Sequence, residues 1–349
     1  MQRRNSRAVK AGNLTIGGGS PISVQSMLSC LAHDIPQSIA QAKELAAAGC
    51  DIIRVAVPDK AAAKTIEALK KHCDIPVVAD IHFDHTLALE SLHAGADKIR
   101  INPGNIGDQS RVKMVADACK ARNVPIRIGV NSGSLEQELL AKHGSPTAEA
   151  MAESALYHAK LLEACDFHDI VLSVKSSNVQ RCVQAYQLLA EQCEYPLHVG
   201  ITEAGTKHMG IIKSSIGIGA LLLQGLCDTI RVSLTAQPIE EIHAARDILQ
   251  ALGLCGDRPN IISCPTCGRC QIDLISLTEE AERRLANCRK SITVAIMGCV
   301  VNGPGEAREA DVGLAGGKDC YMLFSKGEIL RKVAEHEALD ALMAEIQHL

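Results

Sequence analysis

The sequence predicts an α/β protein that begins with a (β/α)8 TIM barrel and ends with a small α+β domain. Between residues 21 and 252, eight short β-branched segments alternate with eight Ala- and Leu-rich segments of helical period. Eight such repeats in about 230 residues match the usual size of a (β/α)8 barrel. A stretch rich in Gly and Pro then ends the alternation, which indicates a boundary and a second domain of different construction.

The barrel strands are expected at 22–27, 52–57, 77–81, 98–101, 126–130, 170–174, 197–201 and 229–234. The helices between them are expected at 36–48, 61–72, 87–94, 111–122, 148–164, 179–192, 212–224 and 239–252. An open doubly wound sheet is the alternative arrangement. It usually has fewer strands, and no strand–helix junction in this sequence carries the GxGxxG fingerprint of a dinucleotide-binding sheet. The number of repeats therefore favours the closed barrel.

The second domain is expected to follow a linker. We place the barrel domain at 1–252, the Gly- and Pro-containing linker at 253–260 and the second domain at 261–349. Its predicted strands are 261–264, 291–296, 311–313 and 321–325, the last two forming a pair. Its predicted helices are 278–288 and 327–347.

Composition excludes two classes of partner and indicates a compartment. A net charge of −4 gives no basic field for nucleic acid, and an aromatic content of 2% without Trp gives no platform on which bases would stack. No run of about 18 apolar residues predicts a membrane span. The start of the chain is basic but lacks the apolar segment of a secretory signal, so the fifteen cysteines are expected to be reduced thiols of a cytoplasmic protein.

An arginine recurs inside the barrel strands, where near-continuous apolar runs are the norm. The triplet Ile-Arg-Val or Ile-Arg-Ile occurs four times and contains Arg54, Arg100, Arg127 and Arg231. A single buried arginine is explained equally well by a barrel carboxylate. Four at equivalent strand positions concentrate positive charge at one mouth of the barrel. This indicates a multiply charged anion, and guanidinium groups suit phosphate.

Other polar residues lie at the predicted strand ends, where active sites of such barrels are found. They are Asp80, Asn102, Asn131, Lys175, Glu203 and Ser233. His82, beside Asp80, is a candidate for proton transfer, whereas His85, His93 and His208 are expected to be surface or helix-end residues. No HxxxH or HExxH spacing supports a zinc site among them.

Two cysteine segments in the second domain predict a metal or cluster site. The first reads Cys264-Pro-Thr-Cys267-Gly-Arg-Cys270, and the second contains Cys299 followed by Val-Val-Asn-Gly-Pro-Gly-Glu306. A CxxC pair with a distant third cysteine suits an iron–sulfur cluster, and Glu306 would be a harder and more exchangeable fourth ligand. A complete ferredoxin run would need a cysteine at Leu274, and a zinc ribbon would need a second ligand pair. The spacing favours iron and sulfur but leaves zinc open.

These two segments resemble the cluster motif of the 4-hydroxy-3-methylbut-2-enyl diphosphate synthase family, and the resemblance extends along essentially the whole chain. It implies one [4Fe–4S] cluster per subunit, held by Cys264, Cys267, Cys299 and Glu306, with Cys270 as an extra thiol. It implies that a diphosphate is held by Arg54, Arg100, Arg127, Lys175, Arg231 and Ser233. It assigns Asp80, Asn102, Asn131, Glu203 and Asn302 to the surroundings of the substrate.

The resemblance also implies a reaction. The family converts 2-C-methyl-D-erythritol 2,4-cyclodiphosphate to (E)-4-hydroxy-3-methylbut-2-enyl diphosphate by reductive ring opening and dehydroxylation, in the methylerythritol phosphate pathway. Two electrons arrive singly from reduced flavodoxin or ferredoxin. Glu203 is then our candidate for the proton donor to the departing hydroxyl, and Glu306 has a catalytic role as an exchangeable ligand. A homodimer is implied in which the cluster domain of one subunit covers the barrel of the other.

Three other functions fit parts of the same pattern. The chain could be a zinc-dependent aldolase or hydrolase acting on a phosphosugar, or a pterin-binding barrel with an accessory metal module. It could also be an iron–sulfur sensor without catalytic activity. The metal content, the ligand preference and the turnover of the protein distinguish these possibilities.

Overall fold

The computed structural model describes residues 2–256, 258–286, 288–299, 301, 307–318 and 320–349. The described residues form two compact units, 1–248 and 249–349. The domain limits expected from the sequence, at 252 and 261, stay a prediction. Asn302 and Glu306, two of the predicted site residues, lie outside the described residues.

A short hairpin opens the first unit and was not predicted from the sequence. Strands β1 (Val9–Ala11) and β2 (Leu14–Ile16) pair in antiparallel fashion. Ala11 and Ile16 are buried against Ile52 and Val78, which lie at the beginning of two barrel strands. The hairpin therefore covers the amino-terminal end of the barrel, opposite the end at which the polar residues collect.

Within the described residues, eight parallel strands form the barrel sheet. They are β3 (Ser23–Met27), β4 (Ile52–Ala56), β5 (Val77–Asp80), β6 (Lys98–Ile101), β7 (Ile126–Asn131), β8 (Ile170–Lys175), β9 (His198–Val199) and β10 (Thr229–Ile230). They pair in the order β8-β7-β6-β5-β4-β3-β10-β9, and a parallel bridge between Leu172 and Leu197 joins the two ends of this order. The predicted (β/α)8 barrel is confirmed.

Several helices of the first unit begin at polar capping residues. The helices of this unit are α1 (Ile35–Ala47), α2 (Ala63–His72), α3 (His85–His93), α4 (Pro103–Ile106), α5 (Gln109–Arg122), α6 (Gln137–His143), α7 (Ala148–Glu163), α8 (Val179–Gln192), α9 (Lys207–Leu223) and α10 (Pro238–Ala251). Asp34, Asp108 and Asn178 each accept the amide N–H three residues on, which satisfies a donor that the first helical turn leaves free. The short helices α4 and α6 were not predicted, and α9 begins five residues before the expected residue 212.

Apolar side chains and arginines alternate along β6 and β7, so they lie on opposite faces of the barrel sheet. Ile99 and Ile101 of β6, like Ile126 and Ile128 of β7, are fully buried apolar residues. Successive side chains of a strand point to opposite faces, so the arginines between these isoleucines lie on the other face. This places Arg100 and Arg127 inside the barrel, where they line a cavity.

The described part of the second unit contains a mixed sheet of five strands. These are β11 (Asn260–Ser263), β12 (Thr293–Met297), β13 (Val312–Gly317), β14 (Cys320–Ser325) and β15 (Glu328–Val333), paired in that order. Helices α11 (Leu274–Leu285) and α12 (Ala338–His348) belong to the same unit. Leu285, Leu314 and Leu342, from two helices and the sheet, share one buried cluster. The predicted pairing of 311–313 with 321–325 is confirmed by β13 and β14.

The predicted helix at 327–347 is wrong in its first part. Residues Glu328–Val333 form β15, which pairs antiparallel with β14, and the α-helix is confined to Ala338–His348, after a 3-10 turn at Glu335–Glu337. Lys326 and Gly327 have φ values of 48° and 83°. Two successive residues with positive φ form the turn that matches the twist of a hairpin, so the chain reverses there.

No described helix is both long enough and apolar enough to cross a membrane. All fifteen cysteines lie in the described ranges, and each of them is free of a disulfide bond.

Candidate functional site

A polar cavity lies at the carboxyl-terminal ends of the barrel strands. Its volume is about 270 Å³. The residues that line it are Met27, Arg54, Asp80, His82, Arg100, Arg127, Gly129, Asn131, Ser173, Lys175, Thr202, Arg231 and Ser233. They come from all eight strands or from the residues that follow them, which is the usual position of an active site in this fold. We call this cavity the barrel mouth.

Positive charge exceeds negative charge in the barrel mouth. Of the described residues, five cations line it, and the carboxylates within ion-pair distance of them are those of Asp80 and Glu241. Arg100 Nη1 lies 3.2 Å from Asp80 Oδ1, and Arg54 Nε lies 3.7 Å from Asp80 Oδ2. Arg231 Nη2 lies 3.6 Å from a carboxylate oxygen of Glu241. The mouth therefore has the capacity to receive a ligand with more than one negative charge.

Two of the five cations have no carboxylate partner among the described residues. Arg127 is 2% exposed, and its Nε and Nη2 have no hydrogen-bond partner there. Lys175 Nζ lies 3.4 Å from His198 Nε2, a neutral acceptor when the imidazole is unprotonated. Burial, followed by the charges of Arg127 and Arg231, lowers the pKa of Lys175 well below its usual value. Since an unpaired buried charge is unfavourable, these groups would gain most from a bound anion.

Asp80 stays ionised in this setting. Burial alone would raise the pKa of Asp80, but the charge of Arg54, the hydrogen bond from His82 and the charge of Arg100 together hold this pKa well below its usual range. His82 Nε2 lies 3.3 Å from Asp80 Oδ2. Asp80 thus orients two arginines and a histidine, and it is unsuited to donate a proton.

The other predicted residues of this region fall into two groups. Asn131 and Ser233 line the barrel mouth, whereas Asn102 is buried and is not part of its lining. Glu203 is exposed, directly after the lining residue Thr202, and has a φ of 51°. Of the histidines, His82 lines the mouth, and His85, His93 and His208 do not.

Sequence reasoning missed the small residues that make room for the charged groups. A Cβ atom at residue 129 would lie 2.6 Å from Arg100 Nε, and one at residue 200 would lie 2.3 Å from the carbonyl oxygen of Arg231 and 2.8 Å from Lys175 Nζ. The backbone of Arg231 therefore requires glycine at position 200, whereas a side chain at position 129 would require the Arg100 guanidinium to move. The signal was present as a glycine within or beside a predicted strand, where it marks a close approach of other groups.

A second, smaller cavity lies in the second unit and brings the predicted cysteines together. Its volume is about 100 Å³, and its lining is Cys264, Pro265, Cys267, Arg269, Cys270, Gly298 and Cys299. The N–H of Gly298 donates to Cys264 Sγ at 3.2 Å. A Cβ atom at residue 298 would lie 2.6 Å from Cys270 Sγ, so glycine is needed there. We call this site the cysteine cavity.

The donor set of the cysteine cavity consists of thiols, which suit an iron–sulfur cluster. Four of the described cysteines line it. A four-iron cluster binds each thiolate through a different iron, so its ligands need not converge on one point. The N–H of Gly298 on a sulfur is also the kind of hydrogen bond that tunes such clusters.

Comparison with known proteins identifies the family of the chain. The model of the GcpE TIM-barrel domain matches residues 6–246, and that of the GcpE protein C-terminal domain matches residues 260–348. The chain belongs to the GcpE family. A relative from Symbiobacterium thermophilum is 55% identical over 343 residues, covering 98% of this chain and 93% of its own length. One from Clostridium acetobutylicum is 54% identical over the full length of both chains.

Both GcpE relatives are named 4-hydroxy-3-methylbut-2-en-1-yl diphosphate synthase (flavodoxin). The family resemblance read from the cysteine segments is thereby confirmed, and the chain is an oxidoreductase with a role in isoprenoid synthesis. Among solved structures, dihydropteroate synthase from Yersinia pestis is 19% identical, with a TM-score of 0.51 over 70% of this chain and 98% of that one. At that identity the likeness concerns the barrel fold alone.

Proposed function

We propose that this GcpE-family enzyme opens 2-C-methyl-D-erythritol 2,4-cyclodiphosphate and reductively dehydroxylates it to (E)-4-hydroxy-3-methylbut-2-enyl diphosphate. The observation that carries the proposal is the excess of buried cations in the barrel mouth, two of which have no carboxylate partner among the described residues. A cyclic diphosphate supplies the missing negative charge in a compact form. The names of the relatives support the identity of the product.

The diphosphate is held by the cations and by one hydroxyl. Arg127 and Lys175 contribute the donors that lack a carboxylate, while Arg54 and Arg100 are held in place by Asp80 and keep further donors for the ligand. Arg231 and Ser233 complete the set from β10 and the residues after it. Charged hydrogen bonds of this kind are each worth about 1.5–3 kcal/mol. The family resemblance assigns Asn102 and Asn131, together with Asn302 outside the described residues, to the sugar part of the substrate.

The cysteine cavity holds one [4Fe–4S] cluster per subunit, bound by Cys264, Cys267, Cys299 and Glu306. The thiol lining and the N–H of Gly298 on Cys264 Sγ support this assignment. When bound, such a cluster supplies electrons one at a time and acts as a Lewis acid. Glu306 lies outside the described residues, so its part in the proposal rests on the family motif.

Glu203 donates the proton that the departing hydroxyl needs. Expulsion of hydroxide without a proton is slow, so a carboxylic acid within reach of the substrate is expected. Asp80 is excluded from this part because its ion pairs keep it ionised. Glu203 is exposed and directly follows Thr202, which lines the barrel mouth. His82, at the mouth, is the alternative proton carrier.

Reduced flavodoxin is the electron donor that the names of the relatives favour, with ferredoxin as the alternative. We further propose that the protein is a cytoplasmic homodimer in which the cluster domain of one subunit serves the barrel of the other.

The decisive test is turnover by anaerobically purified protein with reduced flavodoxin and the cyclodiphosphate, together with absorption and Mössbauer spectra recorded before and after substrate is added. We expect product formation and a change in the iron spectrum on addition of substrate. A colourless protein that contains zinc would instead support a zinc-dependent aldolase or hydrolase. Iron without turnover would support a sensor, and a preference for pterin over the cyclodiphosphate would support a pterin-binding barrel.

A further inference from the structure

Glu241 is a buried carboxylate of the barrel to which the proposed function gives no part. It is the fourth residue of α10 and is 5% exposed. Its neighbour Glu240 lies at the surface of the same helical turn and forms an ion pair with Lys207, with 2.9 Å between the charged atoms. A carboxylate is rarely buried without specific partners, so the contacts of Glu241 indicate what it does.

Both oxygens of Glu241 are used, and each contact reaches a different segment. Oε1 accepts the backbone N–H of Leu234 at 3.0 Å. Oε2 accepts the hydroxyl of Ser26, at the end of β3, at 3.1 Å, and it lies 3.6 Å from Arg231 Nη2. A single side chain thus ties together two adjacent barrel strands and the segment that leaves the second of them.

The segment that Glu241 holds carries two proposed diphosphate ligands. Strand β10 ends at Ile230, and beyond it single hydrogen bonds hold the backbone. The N–H of Arg231 bonds to the carbonyl oxygen of Val199, the N–H of Leu234 bonds to Glu241, and the N–H of Thr235 bonds to the carbonyl oxygen of Gly205. Ser233 lies directly before this second attachment point. The position of its hydroxyl and that of the Arg231 guanidinium therefore both depend on Glu241.

We propose that Glu241 is a positioning residue, which holds the Arg231 guanidinium and the Ser233 hydroxyl where a diphosphate is received. The inference rests on the proposed function, because it takes the barrel mouth to be a diphosphate site. Charge balance is the competing explanation for a carboxylate near Arg231. The two explanations predict opposite changes in the affinity for an anion. If Glu241 is a positioning residue, its loss weakens anion binding; if it only balances charge, its loss strengthens anion binding.

Three variants of the full-length, cluster-loaded protein separate these explanations. Glu241→Ala removes every contact. Glu241→Asp keeps the charge but is one methylene shorter, so it falls short of Leu234 and Arg231. Glu241→Gln removes the charge but keeps an oxygen that can accept the N–H of Leu234. Glu240→Ala, from the half-buried neighbouring position that is not part of the barrel mouth lining, is the matched control.

The dissociation constant of the cyclodiphosphate, measured by anaerobic calorimetry, and the separate values of kcat and KM provide the readout. We expect Glu241→Ala and Glu241→Asp to raise Kd and KM by about tenfold or more, as loss of one charged hydrogen bond would. Glu241→Gln should stay within about threefold of the parent protein, because it keeps the backbone contact, and kcat at saturating substrate should change least. Glu240→Ala should leave all three quantities unchanged.

The inference fails if Glu241→Ala and Glu241→Gln both bind the cyclodiphosphate more tightly, or if Glu241→Asp binds it as the parent protein does. Should Glu241→Ala not fold, the contrast between the Asp and Gln variants still decides the matter. Failure of the parent protein to bind the cyclodiphosphate would instead count against the proposed function.

Discussion

The barrel mouth and the cysteine cavity are built in different ways. The cations of the mouth lie on strands or directly after them, and the sheet fixes their spacing. The cysteines lie on turns: Cys264 follows β11 and Cys299 follows β12, with one glycine between that strand and the cysteine. A site built on strands is formed before its ligand arrives. A site built on turns gains its final geometry when the metal group binds, because binding is part of folding there.

The two sites also differ in how their side chains affect the stability of the ligand-free protein. Five buried or half-buried cations face two carboxylates around the mouth in the described part of the chain, and desolvation of an unpaired charge amounts to several kcal/mol. Cysteine side chains are small and only weakly polar, so bringing them together in the cysteine cavity carries little desolvation penalty. The unpaired cations of the mouth thus destabilise the ligand-free protein and favour binding of an anion. Binding of a metal group to the cysteine cavity would instead stabilise the fold.

The largest expected effect separates the two sites. Cys299→Ser replaces a soft thiolate ligand by an alcohol, so we expect loss of the iron and a fall in turnover of about 100-fold or more. The barrel mouth belongs to the other compact unit. Binding of the cyclodiphosphate should therefore stay within about threefold of the parent value. Iron content, absorption spectra and calorimetric titration check the three expectations.

Cys270→Ala is the matched control for this prediction, because Cys270 lines the same cavity but is not a ligand in the family motif. It should retain iron, and Glu306→Ala should retain less iron than Cys270→Ala. Equal loss of iron from Cys270→Ala and Cys299→Ser would overturn the ligand assignment.

The next largest effect tests whether the unpaired cations of the mouth destabilise the ligand-free protein. Arg127→Met removes a guanidinium that is 2% exposed and has two nitrogens without partners in the described ranges. We expect Kd for the cyclodiphosphate to rise about 100-fold, as loss of two charged hydrogen bonds implies. The ligand-free protein should at the same time become more stable, by about 1–4 kcal/mol, because an apolar side chain replaces an unpaired buried charge.

Thermal unfolding with and without the cyclodiphosphate measures both effects. Arg122→Met, at the exposed carboxyl-terminal end of α5, is the control and should change neither quantity much. A variant of Arg127 that loses affinity and stability together would mean that the guanidinium is satisfied in the empty protein.

The difference between the two sites also explains what the sequence could predict. Arg54, Arg100, Arg127 and Arg231 were singled out because a charged residue interrupts an apolar strand, and all four line the mouth. The cysteines were found by spacing alone, and Cys264, Cys267 and Cys299 line one cavity. In both cases the pattern is short in the sequence and chemically unusual.

The remaining features depend on contacts between distant segments, which leave little trace in local sequence. Strand β15 was taken for a helix because its residues also suit a helix, and only pairing with β14 makes it a strand. Glu241 lies in an acidic pair at the start of a helix, where carboxylates are common for local reasons. Its burial against Ser26, more than two hundred residues away in the chain, is visible only in the fold.

The smallest expected effect concerns Lys98, which is another buried cation of the barrel. It is fully buried on β6, and its Nζ has no partner in the part of the chain that the structure describes. Burial, followed by the charges of Arg127 and Arg54, lowers the pKa of Lys98 well below its usual value of 10.5. The charges that act on Lys98 are those of Arg127 and Arg54, and Lys98 in turn acts on His198.

A lysine whose pKa falls on folding binds fewer protons in the native state than in the unfolded state. The destabilisation that this buried lysine causes is absent above pH 10.5 and increases as the pH falls below that value. It becomes constant below the lowered pKa that Lys98 has in the folded protein. Lys98→Met should therefore be more stable than the parent protein at neutral pH, by an amount that shrinks by up to about 1.4 kcal/mol per pH unit as the pH approaches 10.5. Urea unfolding between pH 7 and 10 measures this difference, with the exposed Lys64→Met as control. A difference that stays constant across this range would show that Lys98 remains charged in the folded protein, and that some partner satisfies it there.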